Sequence, residues 1–383
     1  LGPAPRVTIR VPTRAALATF FSPTLHRLAE ACIEGRIEVQ GALRDMIRVA
    51  TQLAGPPDVD IAHARVPLWR RVLHTRRSDA AAVRHHYDVS NDFYELWLDR
   101  NMVYSCAYFH TGQESLDAAQ EHKLDHICRK LMLQPGERLL DIGCGWGALA
   151  IWAARHYGVQ VTGITLSHNQ CEYARRRVEH ENLRGQVEIR LQDYRDLRGQ
   201  QEFDKIASVG MFEHVGLKNL PMYFATIQRL LRVGGWALNH GITSMDPDSR
   251  EVGMGGGEFI HRYIFPHGEL PHLALALREL SRAGLEATDV ESLRPHYAQT
   301  LWHWAARLES RRDRAEAIAG AKRYRTWLLY LGGCAWGFEH GWMSIHQILA
   351  QKTGSTGASR APWTRAHQYL PVPALPARAG LGD

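Results

Sequence analysis

The chain has 383 residues, 45% of them hydrophobic and 22% charged, which suits a packed core and excludes a disordered protein. Its formal net charge is +6, yet it carries no zinc-finger spacing, RRM signature or basic-zipper pattern, so nucleic acid is not the expected partner. No apolar run approaches the ~20 residues that span a bilayer, no signal peptide is visible, and the six cysteines include no C-x-x-C pair, which speaks against a disulfide framework or a metal site and for a reducing cytoplasm.

Residues 14–55 read as helix, short strand, helix. Leu25, Leu28, Ala29, Cys32 and Ile33 recur at helical spacing, and Ile37 and Val39 alternate across a brief strand. Met46, Ile47, Ala50 and Leu53 form a second amphipathic helix that stops at Gly55-Pro56-Pro57. We expect a small, mainly helical N-terminal domain over 1–55 that docks on lipid, then a basic linker over 56–82. Arg65, Arg70, Arg71, Arg76, Arg77 and Arg84 crowd around Trp69, a composition suited to lipid headgroups. The expected partner is an anionic phospholipid membrane surface with unsaturated acyl chains, met peripherally on its inner face. A homodimer stays open.

Over 83–352, apolar runs at 138–142, 159–164, 187–191, 205–209 and 236–241 alternate with helical patterns at 147–157, 168–182 and 218–232. Two further strands fall near 285–292 and 342–349, with a helical insert at 298–330. This predicts an α/β, Rossmann-like domain with a mostly parallel seven-stranded sheet. Residues 246–257 read either as a lid or as plain disorder, and 353–383 as a loose tail. Tyr324, Trp327, Tyr330, Trp336, Phe338 and Trp342 are candidates for an apolar tunnel or for core packing.

Asp141-Ile142-Gly143-Cys144-Gly145-Trp146-Gly147 follows a strand and opens a helix. Glycines there let backbone approach a ligand, and the third comes too early for the dinucleotide fingerprint. The pattern resembles the first motif of class I methyltransferases, which implies S-adenosylmethionine against Asp141, Gly143, Gly145 and Gly147. At the end of the second strand, where an acid usually meets the ribose, stand Thr165, Leu166 and Ser167, with Gln170 a turn later. After the third strand Gln192, Asp193 and Tyr194 offer an acid and an aromatic ring to the adenine.

Further motifs converge on one family. His86-Tyr87-Asp88-Val89-Ser90-Asn91-Asp92-Phe93-Tyr94, Tyr104-Ser105-Cys106-Ala107-Tyr108-Phe109, Thr165-Leu166-Ser167 with Gln170, Gly210-Met211-Phe212-Glu213-His214-Val215-Gly216, and Tyr263-Ile264-Phe265-Pro266 with Gly268 and Pro271 resemble cyclopropane-fatty-acyl-phospholipid synthases. The resemblance implies a methylene transferred from S-adenosylmethionine to a cis double bond, through a carbocation deprotonated by bound bicarbonate. It places Tyr104 and Ser105 beside the donor. It assigns the bicarbonate to the backbone at Cys106 and Ile242, the side chains of His240 and Tyr297, and Glu213 as acceptor. Cys334 matches a cysteine proposed as catalytic in the family, although no step needs a thiol. The alternative product is a methyl or methylene branch.

Overall fold

Apolar runs in five short segments give strands buried largely on both faces, and the intervening amphipathic segments give the helices that cover them. The computed structural model describes residues 5–55, 90–250, 252–265, 268–359 and 361–369. The linker 56–82, the arginines of 65–84, His86 to Val89, Pro266 and the residues beyond 369 lie outside these.

Strand β1 (Val7–Arg10) pairs antiparallel with β2 (Glu38–Gly41); between them run a 3-10 turn (Arg14–Phe20) and helix α1 (Leu25–Ile33), and helix α2 (Leu43–Ala54) follows. The four residues of β1 alternate too briefly to be read as a strand from sequence. The larger body holds α3 (Asn91–Glu95), α4 (Leu116–Lys130), β3 (Arg138–Ile142), α5 (Ala148–Tyr157), β4 (Gln160–Thr165), α6 (His168–His180), β5 (Val187–Leu191), β6 (Phe203–Val209), α7 (Leu220–Leu230) and β7 (Leu231–Ser244). It continues through α8 (Gly256–Tyr263), α9 (Leu273–Arg282), β8 (Glu286–Ser292), α10 (Arg294–Ser310), α11 (Arg312–Ala319), α12 (Ala321–Glu339), β9 (Met343–Gln351) and α13 (Ala366–Tyr369).

The sheet order is β5-β4-β3-β6-β7-β9-β8. The first five strands are parallel, and β9 runs antiparallel to both β7 and β8. This is the expected mostly parallel seven-stranded sheet. The chain runs from β3 outward through β4 to β5, then crosses back to β6 on the other side of β3, so the carboxyl ends of β3 and β6 flank a crevice. Leu139 packs into the core on one face and Leu140 into the core on the other. A third, aromatic core holds Phe93, Tyr94, Trp97, Trp304 and Trp327 under α10 and α12. The helices between β8 and β9 thus span more than the expected insert at 298–330.

Helix α4 braces the segment that follows α3. Gln120 donates to the Ser105 carbonyl at 2.8 Å, and the buried Lys123 donates to the Ser105 hydroxyl at 2.9 Å. At its far end Lys130, with no exposure, pairs with Asp289 at 3.1 Å and Glu291 at 2.6 Å on β8. Part of the expected loose tail is docked here: Arg365 donates to Asp289 at 2.6 Å. Lys130→Met removes the cation shared by two carboxylates, and breaking such a buried pair costs about 3–5 kcal/mol. Urea unfolding near neutral pH should show a loss of that size, and a change below about 1 kcal/mol would mean that solvent already screens the pair.

Candidate active site

The loop after β3 forms the floor of a polar cleft of about 140 Å³, lined by Asp141, Gly143, Gly145, Thr165, Leu166, Gln170, Gln192 and Tyr194. Gly145 has φ 55°, and a Cβ built on it meets nothing within 4 Å, so the backbone is open to a ligand there. One carboxyl oxygen of Asp141 is buried without a hydrogen-bond partner. Burial pushes this carboxyl up to about 7, against the pull of Lys123. An amino or hydroxyl donor on a ligand would satisfy that oxygen. Thr165 and Gln170 bond to each other through their side chains at 2.8 Å.

Three expected donor contacts have other work. Gly147, at φ 84°, begins α5, and a Cβ on it would lie 3.0 Å from Ala174 on α6, so helix packing fixes this glycine. Ser167 caps α6, accepting from the Gln170 amide at 3.3 Å. Asp193 is held by Arg195 through contacts of 2.6 to 3.1 Å, and Arg195 rather than Asp193 lines the cleft.

Beside the cleft lies a larger apolar cavity of about 270 Å³. Its wall includes Cys106, Glu213, His240, Ile242, Tyr297 and Cys334, residues drawn from the 103–109 segment, the loop after β6, β7, α10 and α12. Tyr104, Ser105, Gly210 and His214 line both spaces and form the partition between them. Of the aromatic candidates, Tyr330, Phe338 and Trp342 line the cavity. Trp327 packs on Phe93, Tyr94 and Trp97, and Trp336 stacks on His340. Residues 246–257 contribute Ser249, Arg250, Val252, Gly256 and Gly257 to the wall.

The catalytic candidates carry a specific bonding pattern. The Ile242 amide donates to Glu213 Oε1 at 2.7 Å, while Glu213 Oε2 is buried without a partner. Burial raises this carboxyl to about 7 although the Ile242 amide opposes it. Ile242 therefore serves Glu213 rather than an anion directly. Gln347, opposite His240 in the β7–β9 register, donates its Nε2 to His240 Nδ1 at 3.1 Å, and His240 Nε2 is buried without a partner. Burial, reinforced by Lys123 and Lys130, holds His240 well below the ordinary histidine range, so the ring is neutral. With Nδ1 accepting, the proton sits on Nε2. The residues that carry this acceptor and this donor both line the apolar cavity, a pairing that suits a small anion bearing one hydroxyl.

Glycine shapes this site at Gly241, between His240 and Ile242. A Cβ there would lie 2.7 Å from Phe212, next to Glu213, so only a bare backbone lets the loop close on β7. The thiols do not fit nucleophilic roles. Burial pushes Cys334 up to about 12, and Cys106, also raised by burial, turns its Sγ toward the Ala107 carbonyl at 3.2 Å. Lys123, Arg195 and Gln347 are absent from the sequence-derived set. A polar residue inside the apolar run 345–350 was the available signal for Gln347.

The family described as Mycolic acid cyclopropane synthetase matches residues 74–348. The chain is 49% identical over 369 residues to a probable fatty acid methyltransferase of Pseudomonas putida, covering 96% of this chain and 93% of the relative. It is 38% identical over 274 residues to cyclopropane-fatty-acyl-phospholipid synthase of Escherichia coli K12, covering 72% of this chain and 68% of the relative. The crystal structure of mycolic acid cyclopropane synthase CmaA1 complexed with SAH and CTAB superposes with a TM-score of 0.68 at 37% identity, covering 71% of this chain and 98% of that one.

Glu213 makes a prediction independent of activity. Its folded pKa is raised from 4.5 to about 7, so between those values the native state keeps a proton that the unfolded chain releases. Stability therefore falls as pH rises through that window and levels off above it. The shift corresponds to roughly 3 kcal/mol. Glu213→Gln keeps the acceptor for Ile242 without the charge. It should match the parent at about pH 4 and exceed it by about 2–3 kcal/mol at about pH 8.5 in urea unfolding. Equal stability at both pH values would mean that Glu213 is solvated.

Proposed function

The chain belongs to the mycolic acid cyclopropane synthetase family, and we propose that it builds a cyclopropane ring on the cis double bond of an unsaturated phospholipid acyl chain, using S-adenosylmethionine as one-carbon donor. The observation that carries this reading is the shared partition. A glycine-floored polar cleft and an apolar cavity meet across Tyr104, Ser105, Gly210 and His214.

Asp141, Gly143, Gly145, Gln192 and Tyr194 would hold the donor, which supplies an electrophilic methyl group. The apolar wall keeps the alkene in reach and excludes water that would trap a carbocation. The ring faces of Tyr104 and Tyr330, whose hydroxyls lie 3.4 Å apart, offer electron density to that cation. Ring closure requires a proton to leave the transferred carbon. Glu213 and His240, with Tyr297 in the same wall, would hold bicarbonate, which supplies a base there. Ionised Glu213 accepts a hydrogen bond and raises basicity nearby, while His240 donates from Nε2. A second reading, in which the carbon stays as a methyl branch, is favoured by the name of the Pseudomonas putida relative.

The substrate lies in a bilayer, and no helix among the described residues is long and apolar enough to cross one. We infer that docking is peripheral. Phe21, 87% exposed, and Leu17, 49% exposed, give the N-terminal unit an apolar foothold, and the arginines of 65–84 add charge.

Donor with a labelled methyl group, incubated with monounsaturated phospholipid vesicles, should leave label in the acyl chain; label found only in water-soluble products would overturn the proposal. Gly145→Val should abolish donor binding in calorimetry by filling the open cleft. Glu213→Ala and Tyr297→Phe should lower turnover by roughly 10²-fold or more with donor affinity unchanged. Equal losses of turnover and affinity would move these residues out of the reaction.

A further inference from the structure

The apolar cavity does not stop at the methyltransferase body. Its wall includes Ala29 and Cys32 of α1, Val39 of β2, and Ile47, Ala50 and Leu53 of α2. None of these side chains carries a charge; burial pushes the Cys32 thiol up to about 11, so it stays protonated. Leu53 lines the cavity and is also 40% exposed, so the space reaches the surface beside α2.

This N-terminal wall is anchored. The Leu25 amide donates to the Met254 carbonyl at 2.8 Å, and Arg325 donates to the Ile33 carbonyl at 2.7 Å. Arg262 pairs with Glu30 at 3.0 Å and Lys322 with Glu34 at 2.7 Å. A Cβ on Gly332 of α12 would lie 2.9 Å from Leu43, so the two parts approach closely. The family match begins at residue 74 and leaves this wall outside it.

We propose that the N-terminal unit is a binding site for the part of the substrate's acyl chain remote from the double bond, and that Ala29 and Ala50 set how long a segment fits. The proposal rests on the cavity being the acyl site, as inferred above. The occupant follows from continuity: one largely apolar wall runs from Glu213 and His240 to α2, and a hydrocarbon chain held at the first must continue along the second or stay in water. Each methylene moved from water into such a wall is worth about fourfold in affinity. Small residues here leave room, and larger ones would remove it.

The test uses the full chain with Ala29→Phe and Ala50→Phe, and Val39→Ala as an enlarging counterpart. Vesicles carry tetradecenoyl, hexadecenoyl or octadecenoyl phosphatidylglycerol. One series fixes the distance from ester to alkene, and a second fixes the distance from alkene to terminal methyl. In at least one series the phenylalanine variants should shift preference toward shorter chains by about tenfold or more, and Val39→Ala should shift it the other way. A common factor on all chains, or no change, would overturn the proposal. Donor binding and thermal unfolding identify a phenylalanine variant that fails to fold, and Val39→Ala then decides alone. Absence of transfer by the parent would instead defeat the activity on which the proposal rests.

Discussion

Two hydrogen bonds determine what the cavity can do. Ile242 donates to one oxygen of Glu213, and Gln347 donates to one nitrogen of His240. Each bond satisfies half of a buried polar group and leaves the other half without a protein partner. A buried acceptor or donor without a partner costs about 1–3 kcal/mol, and here two such atoms, Glu213 Oε2 and His240 Nε2, line one wall. The pair is of opposite bonding character, so the bicarbonate proposed above would complete both at once.

The sheet delivers this arrangement. Val209 faces His240 across β6 and β7, and His240 faces Gln347 across β7 and β9. The antiparallel insertion of β9 brings a glutamine to His240 from a residue 107 positions away. At the same carboxyl edge the glycine loop after β3 makes the polar cleft. The segment Tyr104 to Cys106 stands between the two spaces, held from behind by Gln120 and Lys123. Reactivity and separation thus come from one layer of residues.

How much of this the sequence shows depends on the range of the interaction. The glycine loop, the succession of the five parallel strands along the chain and the positions of Glu213 and His240 at strand ends are local patterns. Gln347 has no local signal beyond being polar in an apolar strand, because its role exists only across β7 and β9. Ile242 is legible as a position near the site, but its amide turns to Glu213, a choice fixed by the close approach that Gly241 permits. Asp193 reads as an adenine ligand until Arg195, two residues on, occupies both its oxygens. The N-terminal helices were legible as amphipathic; that α1 and α2 turn apolar residues into the same cavity as Glu213 was not, since periodicity gives a face and no partner.

In the proposed reaction a proton leaves the transferred carbon inside this cavity. Donor carrying a trideuterated methyl group, supplied with monounsaturated vesicles, distinguishes the outcomes by mass spectrometry of the acyl product. The expected product is a saturated ring bearing two deuterons, with the third lost to solvent. A methyl branch that retains all three deuterons would contradict it.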